Sequence, residues 1–286
     1  MSYVSSIKKD GENIILYKCV EPVSELQLSV EGCVTIGFLD TETTGLDKQN
    51  DEIIELALKV VKFEERSGKI VSIDHEYESF NEPGGHIDEG ITLINGITDE
   101  MVKGKSIDWS TVDAIMQGVD IIVSHNASFD RAFMDRYSTI SQNTVWACTI
   151  DDIDWLGRGF TNTKQELLCH WHGFYFEAHR AMNDVNALIH LVTHQNYNDN
   201  RPVLELIGNA SKPIYVIHAT NFPYDEVKKD TIKANGYQWN GVDKVWYKRV
   251  NFINLENEKE WLTSVIYDIH FLGEVEEINL VDKYKI

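Results

Sequence analysis

The apolar positions follow two periods along the chain, and each change of period marks out an element. Residues 34–39, Val-Thr-Ile-Gly-Phe-Leu, form a short β-rich run that ends in a polar turn, as a buried strand does. Two further apolar runs, 53–63 and 69–80, follow across turn-like breaks, so the chain opens on a predicted three-stranded antiparallel meander. The spacing then becomes helical. Trp109, Val112, Ile115 and Met116 recur every three to four positions and predict a helix over 108–117. Residues 120–124 return to strand, 128–137 to a helix with Phe129, Phe133 and Met134 on one face, and 144–149 to strand. Helices are predicted over 164–171 and 180–194, the second with a stripe of Met182, Val185, Leu188, Ile189 and Val192. Five strands, meandering first and then alternating with helices, imply an α/β domain with a mixed sheet flanked by helices.

A polar stretch, Gln-Asn-Tyr-Asn-Asp-Asn-Arg-Pro at 195–202, then breaks the pattern. Beyond it the run is strand (213–220), helix (223–235), hairpin (237–250), helix (256–268) and strand (274–281), a small β-α-β-β-α-β unit of the α+β class. The expected organisation is an N-terminal extension (1–33), a main domain (34–197), a linker (198–212) and a small α+β domain (213–286).

With 43% hydrophobic and 25% charged residues, the chain has the balance of an ordinary globular protein. Lys8, Lys9, Asp10 and Glu12 interrupt any apolar run near the start, and no stretch has the length of a membrane span. The four cysteines, Cys19, Cys33, Cys148 and Cys169, are widely spaced without a Cys-x-x-Cys pair. They predict reduced thiols in a cytoplasmic protein rather than a zinc site. A formal net charge of −20 argues against an extended phosphate-tracking surface. It leaves room for a small pocket where metal ions supply positive charge locally.

Three polar clusters punctuate the elements. Asp40 and Glu42 end the first core strand two residues apart, so both carboxylates project from one face. Two such groups repel unless a cation lies between them, and hard oxygen donors suit Mg²⁺ or Mn²⁺. A lone Asp-x-Glu is more often a polar strand end. The second cluster, His125, Asn126, Phe129 and Asp130, sits where a strand gives way to a helix; Ser128 as a cap and Asp130 as a first-turn charge explain it equally well. In the third, Asp184 follows His179 by about one helical turn, so both face one site, and a histidine titrates near neutrality. His170, His172, His190 and His194 read as ordinary structural histidines.

The three clusters together, in this order, resemble the DEDDh (DnaQ-like) exonuclease family, to which the proofreading subunit of bacterial replicative polymerases belongs. The matching motifs are Asp40-Thr-Glu42-Thr43-Thr44-Gly45, His125-Asn126-Ala-Ser-Phe129-Asp130 and His179-Arg-Ala-Met-Asn-Asp184, and residues 94–102 resemble the stretch between the first two. The resemblance covers roughly 35–194 and implies an RNase H-like five-stranded mixed sheet. It implies 3′→5′ exonuclease action releasing nucleoside 5′-monophosphates from DNA, single-stranded above all, or from RNA. Asp40, Glu42, Asp130 and Asp184 would hold two divalent ions, Mg²⁺ or Mn²⁺, with Asp40 bridging, and His179 would be the general base. Thr43, Thr44 and Leu46 would hold the terminal nucleotide through backbone amides and a side-chain wedge, with Asn126 and Phe129 as further walls.

Residues 212–250 carry seven basic and four acidic residues, against the trend of the chain, and interleave Trp239, Trp246, Tyr247, Lys248 and Arg249. That mixture suits a single-strand platform or, equally, a hairpin packed on its own helix. Two other readings remain: a nucleic-acid-end-binding module without catalysis, and an accessory subunit of a polymerase. For the latter, the segment Gln27-Leu28-Ser29-Val30 is a faint likeness of a sliding-clamp peptide.

Overall fold

The computed structural model describes residues 3–26 and 31–285, so the clamp-like segment at 27–30 lies outside the described residues. Contacts divide the chain into two units, residues 1–210 with 284–286, and residues 211–283.

In the first unit, β1 (Lys8–Asp10) and β2 (Asn13–Ile15) form a hairpin, and β3 (Tyr17–Lys18) follows. Then come β4 (Cys33–Thr43), β5 (Ile53–Glu64) and β6 (Ile70–Phe80), the predicted meander. Next are the helices α1 (Glu89–Asn95), α2 (Asp99–Val102) and α3 (Trp109–Met116), then β7 (Ile121–Ser124) and α4 (Ala127–Met134). After them run α5 (Thr139–Asn143), β8 (Val145–Cys148), α6 (Gln165–Trp171), β9 (Phe174–Tyr175), α7 (Ala181–Val192) and α8 (Pro202–Ala210).

The central sheet has the order β6-β5-β4-β7-β8. Its first three strands are antiparallel, and β4, β7 and β8 are parallel. Helices cover both faces, so β5 reads as one apolar run rather than an alternation. One face packs Phe38, Val61 and Phe63 under Leu168, Val185, Leu188 and Leu206, from α6, α7 and α8. The other packs Leu39, Leu56 and Leu58 under Val112, Met116, Phe133 and Met134, from α3 and α4. Because β4 and β7 run parallel, their carboxyl ends open at the same edge, where open α/β sheets commonly place their ligands.

The expected linker at 198–212 is a correction. Residues 202–210 are α8, whose Val203, Leu206 and Ala210 are buried in the main core. Pro202 marks a first helical turn, where its missing N–H costs nothing, and the polar stretch before it hid the start. The N-terminal extension also joins the main unit: Tyr17 and Lys18 pair in parallel with Phe174 and Tyr175, and Tyr3, Val4 and Cys19 pack on the core.

The second unit contains β10 (Ile214–Ala219), α9 (Glu226–Ala234), β11 (Gln238–Asn240), β12 (Val245–Asn251), α10 (Leu255–Trp261), a π-helical turn over Leu262–Tyr267, and β13 (Glu274–Ile278). The sheet order is β11-β12-β10-β13, all antiparallel, as the β-α-β-β-α-β pattern requires. The basic–aromatic stretch is internal in part, with Tyr247 and Lys248 half-buried and Arg249 exposed. Trp246 belongs to this unit's core, Lys248 Nζ bonds Glu258 Oε2 at 2.7 Å, and an Arg249 amino group bonds the Lys283 carbonyl at 2.5 Å. Trp239 stays half exposed, its ring 5.4 Å from that of Trp246. None of the described helices is long and apolar enough to cross a membrane.

Candidate active site

Asp40 and Glu42 occupy alternate positions near the end of β4, opposite Ala57 and Glu55 of β5. β7 ends at Ser124, whose hydroxyl donates to the Leu39 carbonyl at 2.6 Å and locks the two strand ends together. The chain then turns through Asn126, at a left-handed φ of 76°, into α4. This delivers Asp130 to the first turn, where its Oδ1 accepts from the Thr41 amide at 3.0 Å and the Thr41 hydroxyl at 2.8 Å. The third contribution comes from α7. His179 sits just before it at φ 64°, an uncommon conformation for a side-chain-bearing residue. Asp184 lies in the first turn and accepts from the Arg180 amide at 3.2 Å.

The result is a cleft of about 250 Å³. Asp40, Glu42, Asp130, His179 and Asp184 line it, with Thr43, Leu46 and Phe129. Carboxylate oxygens of Asp40, Glu42 and Asp184 all lie within 4.8 Å of one another. Asp130 stands beside that trio, tied to Thr41. His179 is exposed, while Leu46 is 82% exposed and free to meet a ligand at the mouth.

Two expected contacts do not join the lining. Thr44 has spent its amide on the Glu52 carbonyl at 2.9 Å and its hydroxyl on Asp51 at 2.9 Å, so it braces the loop. Asn126 makes the turn into α4 and is exposed. Ser128 lies inside α4 rather than capping it. His125 does line the cleft; its Nδ1 bonds the Thr149 hydroxyl at 2.8 Å, and burial lowers its pKa to about 4, so it is neutral.

Four participants escaped the sequence reading. Glu55, fully buried on β5, accepts two bonds from the Arg180 Nε, at 3.2 and 3.3 Å, and one from an amino group at 2.9 Å. It also accepts from the Ala181 amide at 3.0 Å, so it caps the start of α7 across the sheet. Its signal was a lone carboxylate inside an apolar run. Asn95 donates to Glu42 Oε2 at 3.4 Å from the end of α1. Ile91 and Ile94 of the same helix form an apolar wall. Helix α1 announces itself through its ends: Asp88 caps the Gly90 amide and Gly96 closes it at φ 72°.

The electrostatics follow from crowding. Burial, then repulsion from Asp184, Asp130, Glu42 and Glu55, drives the Asp40 carboxyl well above the usual range. Burial likewise raises Glu42 and Asp130 to about 7 and Asp184 to about 8, with Glu42 adding repulsion to the last two. Of the arginines close to these carboxylates in sequence, Arg180 is committed to Glu55 and Arg131 to Asp135. Four buried or half-buried carboxylates offering only oxygen are the donor set of a hard divalent cation. The residues therefore fit the expected Mg²⁺ or Mn²⁺.

Comparison with known proteins places the chain in a family. The RNase_T family model, described as Exonuclease, matches residues 38–192. The PolC-type DNA polymerase III of Listeria welshimeri is 30% identical over 214 residues, 68% of this chain and 14% of that protein. The Bacillus subtilis PolC-type enzyme is 28% identical over 264 residues, 88% of this chain and 16% of its own length. The chain thus spans only a small part of these relatives. Among solved structures, exonuclease I is similar at 17% identity and a TM-score of 0.49, over 88% of this chain and 64% of that one.

Proposed function

The chain belongs to the RNase_T exonuclease family, and we propose that it trims nucleic acid from the 3′ end, releasing nucleoside 5′-monophosphates. The observation that carries this reading is the approach of Asp40, Glu42 and Asp184 within 4.8 Å, with Asp130 beside them and His179 exposed at the same cleft.

Asp40, Glu42, Asp130 and Asp184 would hold two divalent ions, Mg²⁺ or Mn²⁺. Such ions supply Lewis-acid stabilisation of charge developing on a phosphoryl group and acidify water nearby. The chain's own residues do the rest. His179, exposed at the rim, takes the proton of the attacking water. Its left-handed backbone is held by its neighbour Arg180, which Glu55 grips through three bonds. Leu46, Ile91, Ile94 and Phe129 offer apolar surface to a terminal base. A cleft of about 250 Å³ is small for a ligand pocket and suits one terminal nucleotide rather than a duplex.

The test is product analysis. DNA digested with Mn²⁺ or Mg²⁺ should yield nucleoside 5′-monophosphates by mass spectrometry, and none with Asp130→Asn. Nucleoside 3′-monophosphates or internal fragments as first products would remove the reading.

Family membership supports a second reading, association with a replicative polymerase, because the relatives are PolC-type DNA polymerase III chains. Co-purification with such a polymerase from a cell expressing the tagged chain would support it; recovery of the chain alone would count against it.

A further inference from the structure

The same loop and helix that build the catalytic cleft also build a second one. It encloses about 760 Å³ and is lined by Lys48, Arg131, Arg136 and Lys285, with the amides of Gln49 and Gln142 and the carboxylate of Asp135. The whole chain has 26 Lys and Arg against 46 Asp and Glu. Here four cations meet one acid, and that acid is occupied: Asp135 accepts from Arg131 Nε at 3.2 Å and from the Ser141 hydroxyl at 2.5 Å.

The cations are placed rather than loose. Arg136 donates through one nitrogen, Nη1, to the carbonyls of Lys48, at 3.2 Å, and Asp51, at 2.5 Å. Its guanidinium lies 5.4 Å from the centre of the Tyr137 ring. A guanidinium has five N–H donors, so Nε and Nη2 remain to meet another acceptor. Arg131 is fully buried and lies 5.8 Å from the centre of the Trp146 ring. Asp47 and Asp51 on the same loop bring opposing charge: Asp51 is half-buried, while Asp47 is exposed, its pKa lowered by the Asn50 side chain first and also by the Arg136 guanidinium. Asp47 accepts from the amides of Gln49 and Asn50, and Asp51 from Thr44 and the Asp47 amide.

We infer that this basic cleft binds the phosphates of a single-stranded nucleic-acid chain upstream of its terminal nucleotide. Continuity with the catalytic cleft selects that occupant. Gly45 and Leu46 line the catalytic cleft and Lys48 and Gln49 line the basic one, while α4 gives Phe129 and Asp130 to the first and Arg131 and Ala132 to the second. At most ~7 Å of extended chain separates Leu46 from Lys48. A strand whose last base meets Leu46 therefore continues naturally towards Lys48. Phosphate contacts of this kind add affinity without reading sequence, and they fade with salt.

This inference rests on the exonuclease reading and is tested by binding rather than turnover. The full chain is titrated in EDTA with fluorescent (dT)3 and (dT)12 between 50 and 200 mM salt, beside Lys48→Gln/Lys285→Gln and Lys48→Glu/Lys285→Glu variants of unchanged melting temperature. The intact chain should hold the longer oligonucleotide more tightly. Losing two phosphate contacts should make the slope of log K against log salt shallower by about 1.4 and weaken the long oligonucleotide on the order of tenfold, erasing its advantage over the short one. A natural chain with no length advantage, or neutralised variants that keep the slope, would overturn the inference. So would displacement of (dT)12 by an acidic peptide as effectively as by DNA, which would assign the cleft to a protein partner. Turnover is read separately with Mn²⁺: an oligonucleotide bound but never shortened would strike the exonuclease reading alone.

Discussion

On the proposed reading, His179 and the carboxylates that line the same cleft would carry the chemistry, residue by residue. Exposed and held at a positive φ, His179 packs against little, so His179→Ala should remove the proton acceptor without disturbing the fold. We expect kcat to fall by roughly 10²–10⁴-fold with an unchanged melting temperature; retention of most activity would assign the proton to another group. Asp184 acts on stability. Its folded pKa is about 8, against about 4 for an unfolded aspartate. Between those values the folded chain keeps a proton that the unfolded chain has lost, so the destabilisation grows as pH rises from about 4 to about 8. Without metal, Asp184→Asn should therefore be more stable than the natural chain at pH 8, by a margin that shrinks towards pH 5. A margin independent of pH would contradict the crowding. Divalent ions relieve the same repulsion by displacing protons, so Mg²⁺ or Mn²⁺ should raise the melting temperature more at pH 8 than at pH 6. Asp40, Glu42, Asp130, His179 and Asp184 could be read together from the sequence because their three motifs, in order, resemble those of one family, although each alone had a bland reading. Glu55 was not, because its meaning depends on Arg180, 125 positions away. Thr44 misled for the opposite reason: its amide closes its own loop instead of facing the cleft.

At the level of elements, the ends of strands and helices do the positioning. Helix α7 starts with no side-chain cap of its own, and Glu55 of β5 serves instead through Arg180 and the Ala181 amide. Arg180→Ala leaves Glu55 buried without its partner and should cost about 3 kcal/mol or more in urea unfolding. Arg180→Lys should recover only part of this, because an ammonium cannot reproduce the forked contact. A cost below about 1 kcal/mol would mean the pair contributes little. The meander and α3, α6 and α7 were readable because their periodicity runs long enough to be unambiguous. Helix α8 was not: its apolar residues, Val203, Leu206 and Ala210, follow a polar stretch that has every mark of a linker. The π-helical turn at Leu262–Tyr267 was merged into one long helix, since α and π turns share the same apolar residues there.

On the scale of the whole chain, the division into units is not a simple cut. Tyr284 belongs to the first unit, 5% exposed in the core that includes Trp146 and Cys148, with its hydroxyl donating to Asp152 Oδ2 at 2.8 Å. Tyr284→Ala should destabilise the exonuclease unit by about 3 kcal/mol, read by its unfolding in denaturant; no change would detach the C-terminus from that core. A truncation after residue 210 would remove this residue too, and so is a poor test of what the second unit does. The net charge of −20 discouraged expectation of an extended phosphate-tracking face, and so concealed the local cluster at Lys48, Arg131, Arg136 and Lys285, because those residues meet only after folding.

The most direct measurement follows a 5′-labelled single-stranded oligonucleotide, with a free or a blocked 3′ end, in the presence of Mg²⁺ or Mn²⁺. Successive shortening of the free-ended strand, absent with the blocked end, with EDTA and with Asp40→Asn, is the predicted result. Immediate release of the label as a mononucleotide, or an intact strand with folded and metal-loaded protein, would contradict the account.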